Sequence, residues 1–213
     1  MGEVRAVLWD FGGVILSSPF EAFARYERER GLPEGFLRQL NATNPDTNAW
    51  AKLERSEVDL AGFAELYEAE ADAAGHRVEA GAVLALLSGE LRPAMVQALR
   101  RIREEGLAQA CLTNNVAGTE AVRPELAEVM ALFDTVLESS KLGVRKPDPR
   151  FYDLALEAVG VAPSEAVFLD DLGVNLKPAR ALGIRTIKVV DPTEALAELQ
   201  GVLGFDLNEN FRR

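Results

Sequence analysis

Residues 4–14 read Val4-Arg5-Ala6-Val7-Leu8-Trp9-Asp10-Phe11-Gly12-Gly13-Val14, an apolar run that stops at a carboxylate and two glycines. Such a run, with turn signals directly behind it, predicts a buried central strand opening into a tight loop. The pattern returns along the chain. Residues 108–112 lead into Thr113-Asn114-Asn115, and Val167-Phe168-Leu169 runs into Asp170-Asp171. Residues 133–137 form a further expected strand, followed by a polar loop through Ser139, Ser140, Lys141 and Lys146. Helices are expected over about 93–105, from Asp148-Pro149 to Gly160, and over about 176–182, with a last strand over 184–190. Strands alternating with helices of this length predict an α/β fold, a doubly wound parallel sheet of Rossmann-like type covered on both faces.

Between the first strand and the second the character changes. Phe20, Phe23 and Tyr26, then Phe63, Leu66 and Tyr67, recur at helical spacing, and Gly31-Leu32-Pro33, Asn44-Pro45-Asp46 and Gly75-His76 punctuate the segment. Four or five short helices are expected there. The predicted division is a core of residues 1–16 and 91–213 with a helical insertion over 17–90. The tail after Leu203, with Asn208-Glu209-Asn210, reads as loop.

Thirty-four acidic side chains against 23 basic ones give a formal charge of −11, which argues against general attraction to nucleic acid or an anionic membrane. No run approaches the length of a membrane span, and the start of the chain lacks the basic and apolar regions of a secretory leader, so neither insertion nor export is expected. The single cysteine, Cys111, permits no internal disulfide, and a cytoplasmic setting is the expectation. It precedes Thr113 on an apolar strand and reads as packed core. His76, the only histidine, reads as part of an exposed loop. Lys177 and Arg180 read as a solvated helix face, and the aromatic residues Phe20, Phe23, Trp50, Phe63 and Tyr67 as insertion core or pocket lining.

In an open parallel sheet ligands gather at the carboxyl ends of the strands, and Asp10, Thr113-Asn114, Lys146 and Asp170-Asp171 all fall at such ends or in the loops after them. Each aspartate alone reads equally well as a helix cap or turn residue. Together they form a set suited to Mg²⁺, which takes hard oxygen ligands and keeps water positions for a phosphate.

The segments Asp10-Phe11-Gly12-Gly13-Val14, Thr113-Asn114-Asn115, Lys146-Pro147-Asp148-Pro149 and Leu169-Asp170-Asp171 with Asn175 resemble, in order, the four motifs of the haloacid dehalogenase superfamily. The likeness is strongest to the phosphatase-like domain at the N-terminus of soluble epoxide hydrolases and its bacterial relatives, above all in residues 167–181. No counterpart of the epoxide-hydrolysing domain is expected. The resemblance implies a phosphatase-like hydrolase of small phosphomonoesters, with Asp10 as nucleophile forming an aspartyl phosphate. It further implies Mg²⁺ held by Asp10, the Gly12 carbonyl, Asp171 and, as an additional or supporting group, Asp170. Thr113, with the Asn114 and Asn115 backbone N–H groups near a helix start, and Lys146 would bind the phosphate, and Asn175 would orient the loop or Lys146. The inserted helices would form a cap that closes over the site, in a monomer or homodimer.

One departure stands out. Most phosphatases that this chain resembles place an acid/base aspartate two residues after the nucleophile, and here that position is Gly12. Protonation by a positioned group contributes about 10²- to 10⁴-fold, so catalysis is expected to be weak or selective unless another acid substitutes. Two alternatives stay open: a non-enzymatic phosphate-ligand binding or interaction protein, and a haloacid dehalogenase, which uses the same aspartate without a metal. Two further carboxylates beside Asp10 would be costly without a cation, which disfavours the second.

Overall fold

The computed structural model describes residues 3–117 and 123–207. Five parallel strands, β1 (Ala6–Trp9), β2 (Ala108–Thr113), β3 (Thr135–Glu138), β4 (Ala166–Asp170) and β5 (Arg185–Lys188), form one sheet in the order β3-β2-β1-β4-β5. Strand β1 is central, pairing Trp9 with Cys111 on one side and with Leu169 on the other. This register brings the carboxyl ends of β1, β2 and β4 side by side.

Alternation along the strands supplies two apolar layers, as the two-residue period of a pleated strand requires. Val7, Trp9, Cys111, Val167 and Leu169 face one layer, covered by α6 (Pro93–Glu104) through Met95, Leu99 and Ile102, and by α11 (Pro192–Leu203) through Leu196 and Leu199. Leu8, Ala110, Leu112 and Phe168 face the other, covered by α9 (Pro149–Val159) through Phe151 and Tyr152 and by α10 (Gly173–Ala181) through Leu176 and Ala179. Each fully buried large side chain contributes roughly 1.5–3 kcal/mol of apolar transfer.

Helices α1 (Phe20–Arg30), α2 (Phe36–Ala42), α3 (Ala49–Glu54), α4 (Leu60–Ala73) and α5 (Ala80–Ala85) lie between β1 and α6. They bury their own cluster, including Phe23, Tyr26, Phe36, Leu37, Phe63 and Tyr67. The chain enters and leaves this helical insertion side by side, with an isolated bridge between Leu16 and Leu91. The aromatic residues pack on one another, the Trp50 ring centroid lying 5.2 Å from that of Phe63 and 5.9 Å from that of Tyr67; Phe23, Phe63 and Tyr67 are buried insertion core, with Phe20 and Trp50 partly buried against it.

The boundaries differ from the sequence expectation in places. Strand β3 starts at Thr135, two residues later than expected, just after Asp134, whose N–H donates to the Gln109 carbonyl and whose carboxylate accepts the Gln109 N–H. Helix α10 begins at Gly173, three residues before its first apolar face residue, Leu176. Helices α7 (Pro124–Met130), α8 (Ser139–Leu142) and α11 lie outside the sequence expectation, although Asp191-Pro192 and Gly204 cap α11 by the ordinary rules. The expected loop at Asn208-Glu209-Asn210 lies outside the described residues. Among the described residues, no helix is long and apolar enough to cross a membrane.

Candidate active site

Asp10 follows the last residue of β1, and its backbone N–H donates to the Leu169 carbonyl, which fixes it to the end of β4. Its Oδ1 accepts the Phe11 N–H at 2.7 Å and lies 2.7 Å from Lys146 Nζ. Lys146 is 1% exposed, and its ammonium also lies 2.8 Å from Asp170 Oδ2. Asp170, fully buried at the end of β4, is held on every side. Oδ1 accepts from the Leu172 N–H at 2.8 Å and from Asn175 Nδ2 at 3.1 Å, and Oδ2 accepts from Asn175 Nδ2 at 3.0 Å as well as from Lys146. Asn175 is in turn fixed through its carbonyl, which accepts from the Tyr152 hydroxyl at 2.7 Å.

Asp171 completes the group. Ligand atoms of Asp10, Asp170 and Asp171 all lie within 4.8 Å of one another. In contrast to Asp170, Asp171 has among the described residues a single long contact to another side chain, the Ser18 hydroxyl at 3.5 Å. Burial, then the Asp170 charge, push its carboxyl up to about 6. Burial likewise pushes Asp10 well above the ordinary carboxylate range, against the opposing pull of Lys146. For Lys146 burial alone would lower the ammonium, but Asp10 and Asp170 outweigh it and hold it above its ordinary value. Three carboxylates against one ammonium leave excess negative charge in a buried space lined by hard oxygen donors, a setting that fits a divalent cation such as Mg²⁺.

The turn after Asp10 explains the two glycines differently. Gly12 has φ −71° and open space where a Cβ would stand, so other residues fit its backbone. Gly13 alone takes a left-handed φ of +80°, and a Cβ there would sit 2.3 Å from Asp171 Oδ2. Its glycine lets the Asp171 carboxylate approach the β1 turn. The Arg92 guanidinium donates to the Gly13 carbonyl at 2.8 Å and pins that turn, a role without a sequence signal of its own.

Thr113 ends β2, buried and in register with Glu138. The Asn114 side chain does not point to a free phosphate position but clasps the Lys146 backbone, with Nδ2 donating to its carbonyl at 3.0 Å and Oδ1 accepting its N–H at 2.9 Å. The Asn115 N–H donates to the Ser139 hydroxyl at 3.1 Å, and its side chain reaches Glu138 and Ser140. Residues 114–116 are irregular and the next helix among the described residues, α7, begins at Pro124, while residues 118–122, where the helix start expected beside them would fall, lie outside the described residues. The structure therefore brings Asp10, Lys146, Asp170, Asp171 and Asn175 into one contact network, with Thr113 and Gly12 at the neighbouring strand end and turn, while Asn115 is occupied with the β3–α8 junction.

A residue without a sequence signal joins this network from the insertion. Glu54, the last residue of α3, is buried, and its Oε2 lies 2.9 Å from Arg145 Nε and 3.3 Å from Asn114 Nδ2. Burial raises its carboxyl, with Arg145 and Lys146 pulling the other way. Cys111 is fully buried with its thiol raised by desolvation, as packed core. His76 is half-buried rather than exposed, its ring 4.8 Å from Phe36. It borders a groove in the insertion with Phe36, Asn44 and Glu70 that none of the three aspartates lines. Lys177 and Arg180 are exposed on α10.

A family model for a haloacid dehalogenase-like hydrolase matches residues 4–183. The chain is 37% identical over 211 residues to acyl-CoA dehydrogenase family member 10 of Mus musculus, covering 96% of this chain and 20% of that protein. It is 33% identical over 219 residues to bifunctional epoxide hydrolase 2 of Sus scrofa, covering 96% of this chain and 40% of that protein. The chain thus spans well under half the length of these two relatives. A solved structure described as a dehalogenase superposes with a TM-score of 0.69 at 21% identity, over 97% of this chain and 100% of its own, which is a likeness of fold.

Proposed function

The chain belongs to the haloacid dehalogenase-like hydrolases, and on that premise we propose that it is a Mg²⁺-dependent phosphatase of small phosphomonoesters working through a phosphorylated Asp10. The observation that carries this reading is the gathering of Asp10, Asp170 and Asp171 around a single ammonium, Lys146. A halide-displacing site needs one aspartate and no cation, and would leave two further carboxylates as a standing cost.

Asp10, Asp171 and the Gly12 carbonyl are the proposed metal ligands. Asp170, whose oxygens are already engaged by Lys146, Asn175 and the Leu172 N–H, serves as an additional or supporting group. When bound there, Mg²⁺ supplies positive charge that offsets the repulsion between a carboxylate nucleophile and a phosphoryl anion. Asp10 presents Oδ2 for attack, since both of its described bonds fall on Oδ1. The bond from phosphorus to the leaving oxygen breaks as the Asp10–phosphorus bond forms, and water then releases phosphate and restores the carboxylate. Lys146 holds the Asp10 carboxylate and the incoming phosphate in one place, and the Thr113 hydroxyl donates to a phosphoryl oxygen. The Asn114 N–H is the amide proposed to help it, the Asn115 N–H being engaged by Ser139. Gly12 offers no proton to the leaving oxygen, so turnover is weak or confined to substrates with good leaving groups.

The insertion over 17–90 acts as the cap that excludes water and selects the leaving group. The lone cysteine, buried and without a disulfide partner, supports a cytoplasmic setting. The test is phosphate release from a phosphomonoester panel with Mg²⁺ or a chelator, alongside halide release from 2-haloacids. Phosphate release abolished by chelation supports the proposal, and chelator-insensitive halide release overturns it. Phosphate binding without turnover would favour the binding-protein reading that Gly12 raises.

A further inference from the structure

The bonds around Lys146 extend beyond the strand ends into the insertion. Its backbone carbonyl accepts two side-chain donors, Asn114 Nδ2 at 3.0 Å and Arg145 Nε at 3.1 Å. Both groups also meet one carboxylate oxygen, Glu54 Oε2: Asn114 Nδ2 donates to it at 3.3 Å, and Arg145 Nε lies 2.9 Å from it as an ion pair while its one N–H donates to the Lys146 carbonyl. Glu54 ends α3, so a residue of the insertion sets the direction of both groups that grip the Lys146 backbone. Two further bonds cross at the same place: the Ser56 hydroxyl donates to the Ser140 carbonyl at 2.9 Å, and Arg145 Nη1 donates to the Pro45 carbonyl at 3.4 Å. Glu54 is 7% exposed, so its charge is not an ordinary surface carboxylate meeting a passing arginine.

We infer that Glu54 is a positioning residue, carried by the insertion, that sets the Lys146 ammonium between Asp10 and Asp170 through Arg145 and Asn114. Its catalytic meaning rests on the phosphatase reading; the positioning itself does not. An insertion seated on the core would thereby complete the site, and an insertion lifted away would leave both groups that hold the Lys146 backbone without their common anchor.

The test compares the full native chain with Glu54→Gln. The amide keeps the size but removes the charge that meets Asn114 and Arg145 at Oε2, so the anchor shared by the two groups that hold the Lys146 backbone is weakened. Amide hydrogen exchange at Lys146 should speed up about 10-fold, with residues 167–169 of the sheet unchanged as the control for global stability. In a native chain that turns over, kcat for Mg²⁺-supported phosphate release should fall about 10-fold, with KM moving less than about 3-fold. Arg145→Met, which breaks the link from the core side, should shift both readouts the same way and serves if Glu54→Gln does not fold. Unchanged Lys146 exchange in a folded variant overturns the inference whether or not the chain is active, as does faster exchange with undiminished kcat in an active one. A native chain that releases no phosphate instead overturns the phosphatase reading, and exchange alone then decides the positioning.

Discussion

Lys146 Nζ lies 2.7 Å from Asp10 Oδ1, an ion pair whose lysine side chain is 1% exposed and whose aspartate side chain is 11% exposed. Removing one partner of such a pair leaves a buried charge uncompensated, which costs about 3–5 kcal/mol where the site cannot relax. Lys146→Met should therefore lower the denaturant midpoint markedly and abolish phosphate release. A variant with native stability would show that the carboxylates do not depend on this ammonium.

The two glycines after Asp10 should respond in opposite ways. Gly13→Ala meets both a left-handed φ of +80° and a 2.3 Å approach to Asp171. It should destabilise the chain by at least about 1 kcal/mol and weaken Mg²⁺ binding measured by calorimetry.

Gly12→Asp has room around it and an ordinary φ of −71°. It should fold normally, and by restoring an acid two residues after the nucleophile it should raise phosphate release by about 10-fold or more on substrates with poor leaving groups. Equal rates would place the proton donor elsewhere.

Asn175→Ala removes two donor contacts from Asp170, at 3.0 and 3.1 Å, and leaves the buried carboxylate short of partners. A loss of about 1–3 kcal/mol in chemical denaturation is expected, with Mg²⁺ affinity lowered about 10- to 100-fold.

Asp171 supplies a pH dependence. Its carboxyl, ordinarily at 3.8, stands at about 6 in the folded chain. Between those values the folded state holds a proton that the unfolded state has lost, so metal-free stability falls as pH rises through this window, by about 1–2 kcal/mol given the solvent that reaches the side chain. Mg²⁺ takes the deprotonated form, so the rise in Tm on adding Mg²⁺ should be larger at about pH 7.5 than at about pH 5. An equal rise at both would remove Asp171 from the metal site.

The parallel sheet was legible because its signals are local: apolar runs ending in Asp10, Thr113 and Asp170, each at a strand end, compress the period and the punctuation into a few residues. Asp10, Lys146, Asp170 and Asp171 could be read as one set for the same reason, since a parallel sheet brings those ends together. Glu54 was not legible. It stands in a charged stretch, Lys52 to Glu57, and only the seating of α3 against Asn114 and Arg145 buries it. The separate duties of Gly12 and Gly13 were hidden likewise, because identical residues differ only in φ and in what lies opposite. Asn115 looks like a phosphate ligand by position, but the Ser139 hydroxyl, from a helix without a sequence signature, claims its N–H.

The most direct measurement of the central claim is phosphate release by the native chain and by Asp10→Asn, each with Mg²⁺ and with EDTA, using the best substrate of a phosphomonoester panel. The account predicts release only from the native chain and only with Mg²⁺, because the amide cannot act as the nucleophile and loses its charge toward the cation. Release that survives Asp10→Asn in a folded protein, or that continues undiminished in EDTA, would contradict it.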